Sequence, residues 1–418
     1  MGIISSKYRY TIYLCCSLLC AFISVIDDQY GLGILDYIIC FVLIITTFLT
    51  TRVTIPKSFL LLIFTYFITV VISAYLSPYT MGLKFVLLGT IITIIPFLIF
   101  LISYNYRFSL KTLDSLIDSW IYFIISLTII AFVETLLFSS NMYSQEALLK
   151  SYIVKPGFFA SLCNQGVILS LYRFRCSSNP SYKKYAIYLS ICALLSLQLK
   201  VFCGLVIIWG LFFIIFSSKN KSKLVIPVIL VCLLCVASIY FITPLYDKII
   251  KYISLYGAVD SYENVARPAL YYQSFNIAND FAPFGSGQGT FGSVPVNMRY
   301  NKIYYDYNLY YIHGLGETGD NFKMDTHWAS ILGENGYFGS LIYFILYLYP
   351  LFYIRRLVNS SYYKSVKYLF FTIFIVISFE SITLCIPGRM AFIFIYSGIL
   401  GLICRQIVSG AYDDDLNS

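Results

Sequence analysis

His327 is one of only two histidines in the 418-residue chain. It stands in Asp325-Thr326-His327-Trp328, where a long polar stretch gives way to an apolar run. Asp325 or Thr326 is placed to cap the helix that begins there. Glu334 follows seven residues later, so a helix sets it on the face of His327, two turns and about 10 Å further along. A titratable pair at a membrane boundary suits acid–base chemistry. Arg267 opens the second candidate group, Arg267-Pro268-Ala269-Leu270-Tyr271-Tyr272, with proline expected at the first helical position and Tyr271, Phe275 and Ala278 along one face. A cation beside a helix N-terminus attracts an anion, phosphate above all. Lys200 lies between two apolar runs, and a charge so close to hydrocarbon is expensive unless it is used. Asn164 interrupts another apolar run. Gly285, Gly287 and Gly289 belong to Pro283-Phe284-Gly285-Ser286-Gly287-Gln288-Gly289-Thr290-Phe291-Gly292, which allows a tight turn or close backbone approach to a ligand. That run lacks the Gly-Lys-Ser/Thr of a nucleotide loop and a surrounding βαβ unit.

The elements that must position these residues are apolar. Hydrophobic residues make up 59% of the chain and charged residues 12%, too greasy for a soluble enzyme, a disordered scaffold or a secreted disulfide module. The expected fold is an all-α polytopic integral membrane protein of about twelve transmembrane helices with one long, partly helical periplasmic loop. The spans fall near 9–26, 32–50, 58–76, 83–103, 118–138, 157–172, 185–199, 201–217, 223–243, 328–352, 366–386 and 390–405. Those at 157–172, 185–199 and 201–217 are short. The first run, followed by Asp27-Asp28 and lacking a small-x-small cleavage site, reads as a retained helix. The organisation is a nine-helix membrane region at 1–243, the loop at 244–327, and a three-helix region with a cytoplasmic tail at 328–418.

With the N-terminus in the cytoplasm, eighteen of the 29 basic residues fall on inner segments, Arg173 and Arg175 among them, against five in short outer loops. This split places both termini inside and 244–327 outside. It also explains the net charge of +9 without nucleic acid, since no basic run with interleaved aromatics sits on a soluble domain. Twelve cysteines, Cys232 and Cys235 included, lie mostly in apolar runs and read as small hydrophobes, with no disulfide and no zinc expected. Many of the 40 tyrosines sit at span ends, but Tyr271, Tyr272, Tyr300, Tyr304, Tyr305, Tyr307, Tyr310 and Tyr311 crowd the long loop, as on a sugar-binding surface.

In this order the pieces resemble the O-antigen polymerase/ligase superfamily. The resemblance runs from Lys155-Pro156-Gly157-Phe158 and Asn164 through Lys200, Arg267, Pro283 and the glycines of 285–292 to His327 and Gly336-Tyr337-Phe338-Gly339. Lys200 stands where many members carry arginine, and Trp328 where many carry a small polar residue. The resemblance implies an O-antigen polymerase of the bacterial inner membrane. It would join undecaprenyl-diphosphate-linked repeat units at the periplasmic face by metal-independent, inverting glycosyl transfer, with no cofactor. His327 would be the base and Glu334 its supporting acid, Lys200 and Arg267 would bind the diphosphate, and Asn164, Tyr271, Gly285, Gly287 and Gly289 would contact substrate. Lipid-linked glycans, membrane lipid and a chain-length regulator protein are the expected partners. Two alternatives stay open: a ligase that moves finished chains to lipid A–core, and a polysaccharide-unit flippase.

Overall fold

The computed structural model describes residues 6–30, 35–50, 54, 56–137, 156–216, 265–318, 322–357, 362–383 and 389–409. The expected ninth span near 223–243, with Cys232 and Cys235, and loop residues 244–264 lie outside the described residues, as does Lys155. The described elements are helical. In chain order they are α1 (Ser6–Tyr30), α2 (Leu35–Thr50), α3 (Lys57–Leu76), α4 (Leu83–Asn105), α5 (Leu110–Leu137), α6 (Pro156–Ser177), α7 (Pro180–Leu194) and α8 (Leu199–Phe216). The loop contributes α9 (Ala266–Asp280), α10 (Val294–Met298) and α11 (Ile303–Asp306). Then come α12 (His327–Leu348), which a 3₁₀ segment extends to Leu357, α13 (Tyr363–Glu380) and α14 (Met390–Ser409).

Among the described residues, six helices are long and apolar enough to cross a bilayer: α3, α4, α5, α8, α12 with its extension, and α14. Shorter apolar stretches cover Tyr8–Ser24 and Tyr37–Thr47. This is consistent with a helical membrane protein. The burial pattern fits lipid as solvent: on α3, Leu60, Leu61, Phe64 and Val71 face outward, whereas Tyr66, Thr69 and Ser73 turn inward. In hydrocarbon an outward leucine costs nothing, and inward hydroxyls find partners in neighbouring helices.

Successive helices alternate between two ends of the bundle. At one end Thr54 meets Asn105, Ser58 bonds Tyr349 at 2.8 Å, and Gln406 donates to the Phe108 carbonyl. At the other, Ser77 bonds the Ser286 carbonyl and Tyr79 donates to Asp306 at 2.9 Å, so the long loop sits there. Residues 266–315 form their own small core around Leu270, Ile277, Phe291, Tyr304 and Leu309, seated on Ala329 in the first turn of α12.

Three local expectations are corrected. The span expected at 157–172 is longer, because α6 runs on to Ser177 and takes Arg173 with it. Arg173 is buried, with its guanidinium on Asp114 at 2.6 Å and Asp118 at 2.8 Å of α5, so it is a paired residue inside a helix and not a loop charge. Second, α9 begins at Ala266, which moves Pro268 to the third helical position, and its buried stripe is Ala266, Ala269, Leu270, Ser274, Ile277 and Ala278. Phe275 is exposed. Small residues allow α9 to lie close on α12, and a face drawn through the largest apolar side chains misses that. Third, Thr326 stands at the N-cap of α12 without a side-chain bond, and Asp325 turns to Arg267 instead.

α12 is broken at Gly336, whose φ of 60° and ψ of −166° leave the helical region. The break frees carbonyls that a continuous helix would use. The glycine-rich loop takes them: Ser286 N–H donates to the Gly333 carbonyl at 2.9 Å and Gly287 N–H to the Glu334 carbonyl at 3.0 Å, while Phe338 N–H returns to the Pro283 carbonyl at 3.1 Å. The backbones touch, and a Cβ on Gly336 would collide with the Gly285 nitrogen and the Pro283 oxygen. Gly336→Ala should therefore cost about 1–3 kcal/mol of stability, read as a lower thermal midpoint in detergent. Gly210→Ala, whose Cβ would meet open space in α8, should leave the midpoint unchanged or slightly raised; equal midpoints for both variants would refute the packing argument.

Candidate functional site

Lys200, in the first turn of α8, and Arg267, in the first turn of α9, line one cavity of about 530 Å³ at the loop end of the bundle. Tyr271, one turn beyond Arg267, lines it too, with Gln198 before α8 and Phe379 and Thr383 around the end of α13. Arg267 donates from Nη2 to Asp325 at 2.8 Å. Its buried Nε has no partner among the described residues, so a single carboxylate leaves most of the guanidinium's donors unused. Tyr271 donates to the Ile382 carbonyl at 3.1 Å. Burial pushes its phenol up to about 12, so the hydroxyl stays protonated at any physiological pH.

Beneath Lys200 lies a buried polar layer. Glu380, at the end of α13, is fully buried and accepts from the Asn164 amide of α6 at 2.7 Å. Its second oxygen has no hydrogen-bond partner among the described residues, and Lys200 is within its electrostatic reach. Gly204 makes the room, and Gly157 borders it. A Cβ at Gly204 would press on Asn164 and Glu380, and one at Gly157 would stand 3.6 Å from the Lys200 ammonium. Asn164 is thus buried against Glu380 rather than presented to the cavity. The carboxylate gives Lys200 a counter-charge from below, leaving its upper side to an incoming anion.

His327 and Glu334 line a different space, a narrow cavity of about 40 Å³ with Gln288, Ser293, Met324 and Tyr343. That volume admits about one water and no sugar. The buried imidazole places Nε2 3.0 Å from the Tyr343 hydroxyl, and its ring packs edge-on to Trp328. Glu334 serves the glycine loop: Oε1 accepts from Phe291 N–H at 2.9 Å and the Ser293 hydroxyl at 2.5 Å. Gly285, Gly287 and Gly289 are buried, and the backbone or side chains that approach them closely are Gly336 and Glu334, Thr80 and Ser77, and Phe85 and Pro295. Their close contacts are with the protein itself.

The structure thus brings Lys200, Arg267 and Tyr271 together, sets Asn164 underneath, and keeps His327 with Glu334 next door. The segment 325–327 couples the two compartments, since Asp325 holds Arg267 while His327 N–H bonds the Ser381 carbonyl beside Glu380 at 3.2 Å. Residues 185–344 match the O-antigen ligase family model. The match is consistent with the O-antigen polymerase/ligase superfamily. It runs from α7 into α12 and contains Lys200, Arg267, His327 and Glu334, but neither Asn164 nor Glu380. A comparison with curated proteins found no match. The sequence leaves Glu380 without a role, and Asp325, expected as a helix cap, holds Arg267 instead. A lone acid closing an apolar helix was the available signal for Glu380, but its partner lies 216 residues away.

Proposed function

We propose that this protein is an O-antigen polymerase of the bacterial inner membrane, joining undecaprenyl-diphosphate-linked repeat units at the periplasmic face. The observation that carries the reading is the convergence of Lys200 and Arg267 on one cavity, within a region that matches the O-antigen ligase family. A sugar held by a diphosphate is already activated, and its departure builds negative charge on the lipid diphosphate that cations stabilise. Arg267 offers a planar fork to two phosphate oxygens and Lys200 a point charge. His327 removes the proton of the acceptor hydroxyl as that oxygen attacks the anomeric carbon, with inversion. Asp325 and Glu380 orient the cations, and Glu334 with the glycines fixes the wall around the base. A chain-length regulator is a further expected partner.

The long loop favours polymerase over ligase. Tyr272, Tyr305, Tyr310 and Tyr311 are exposed there, and the last three form a contiguous ring cluster with centroids 5.2 and 5.6 Å apart. Such faces suit repeated sugar units sliding past. The deciding experiment follows products. Purified protein in lipid should lengthen lipid-linked oligosaccharide without nucleotide or ion gradient. Movement of the oligosaccharide across the bilayer without bond formation would mean a flippase, and transfer only to lipid A–core would mean a ligase.

The same reading orients the chain, with the loop in the periplasm and both termini in the cytoplasm. Met298 at the end of α10 is exposed. A cysteine placed there, Met298→Cys, should react with an impermeant maleimide added outside spheroplasts. Reaction only after the membrane is broken would reverse the orientation.

A further inference from the structure

A second cationic cavity lies at the opposite end of the bundle. It measures about 670 Å³ and is lined from four elements: Ser58 and Leu62 of α3, Tyr104 of α4, the Tyr349–Arg356 segment after α12, and Arg405 of α14. Tyr349 follows the last residue of α12, 22 residues beyond His327, and even with the break at Gly336 the helix, at most about 33 Å long at 1.5 Å per residue, carries the chain across most of a bilayer core. The cavity is therefore at the other membrane face from Lys200 and Arg267. Neither the diphosphate chemistry nor the His327 compartment uses it.

Its chemistry is specific. Among the described residues, Arg356 and Arg405 are its charged lining residues and no acidic side chain lines it. Each guanidinium lies near a tyrosine ring, Arg356 at 5.6 Å from the Tyr353 centroid and Arg405 at 5.6 Å from that of Tyr104. Stacking fixes the plane and leaves the N–H edges available. Arg405 Nε is buried with no partner among the described residues, a donor awaiting an acceptor. Beside the cations the lining turns apolar, with Leu62, Ile345, Phe352 and Val408, and Phe352 is half exposed. Two donors for a phosphate next to an apolar flank at a membrane boundary match one kind of molecule.

We propose that this cavity binds the headgroup phosphate of an anionic glycerophospholipid, with Arg356 and Arg405 on the phosphate and the acyl chains along Phe352, Ile345 and Leu62. Charge complementarity favours an anionic over a zwitterionic headgroup, because only the former leaves a net negative charge to neutralise the pair. The site does not depend on the transfer reaction proposed above.

The test uses full-length protein extracted in mild detergent from vesicles of equal phosphatidylglycerol and phosphatidylcholine, with the retained lipids measured by mass spectrometry. Wild type should retain phosphatidylglycerol over phosphatidylcholine on the order of tenfold. Arg356→Gln with Arg405→Gln should bring the ratio close to one, and Arg356→Lys with Arg405→Lys should keep most of the enrichment. Lys183→Gln with Lys184→Gln, which removes two cations at the same end outside the cavity, should leave the ratio unchanged. Equal retention of both lipids by wild type overturns the proposal whatever the variants do. So does an equal loss in the Lys183/Lys184 variant, which would mean diffuse attraction. Abolition of the enrichment by 50 mM inorganic phosphate would assign the pocket to the free anion instead.

Discussion

Arg267→Ala is expected to reduce transfer by about 10²–10³, the usual loss when one preorganised donor to a developing anion is removed. The rate of extension of lipid-linked repeat units in proteoliposomes measures it. Arg267→Lys should recover little, since a point charge cannot hold Asp325 and still present a fork to two phosphate oxygens. The 2.8 Å bond to Asp325 refines this expectation. Asp325→Ala leaves the cation in place but unanchored, so its loss should be smaller than that of Arg267→Ala. Across the cavity, Lys200→Ala should be severe and Lys200→Arg tolerated. A normal extension rate in Arg267→Ala at normal protein level would remove the cavity from the reaction.

The second large effect belongs to the imidazole. His327→Ala should leave an inserted protein that cannot polymerise, with a rate loss of about 10²–10⁴ for a missing general base. The structure adds a condition. His327 sits against a cavity of about 40 Å³, so an acceptor sugar reaches it only if the Ser293 and Met324 walls part as the acceptor binds. His327→Gln keeps a polar side chain beside Tyr343 and separates loss of the base from loss of packing; it should be as inactive as alanine but better folded. In cells, a dead polymerase leaves lipid A–core with a single repeat unit, because a separate ligase still works. Bare core in the His327→Ala strain would overturn the polymerase reading, and a normal ladder would overturn the base.

Much of this was legible because lipid simplifies the code. Long apolar runs at 58–76, 83–103 and 201–217 correspond closely to α3, α4 and α8, since a span must satisfy its backbone internally and so must be helical. The polar residues that stood out, Lys200, Arg267, Asn164 and His327, are those a membrane chain retains at a cost. How they group was not legible. Spacing puts Glu334 on the face of His327, yet one of its oxygens serves the loop at 291–293, which packs there through backbone bonds at the break in α12. The glycines signalled close approach, but nothing local says whether a ligand or a helix does the approaching. Asn164 and Glu380 are each odd in their own helix, and only the packing of α6 beside α13 makes them a pair. Arg173 looked like a loop charge because its acids lie on another helix.

That last pairing bears on how the protein is made. α6 is not among the six helices long and apolar enough to cross a bilayer, and it carries a buried arginine about one turn from its end, a charge that is expensive to insert unpaired. Asp114 and Asp118 stand one turn apart on the helix synthesised just before it, facing the same guanidinium. The nascent chain therefore gains by holding α5 at the insertion machinery until α6 emerges, and by releasing the two into lipid with the arginine already paired. The ion pairs tie α5 to α6, so dividing this protein between them for co-expression as two fragments should lower the yield of assembled protein.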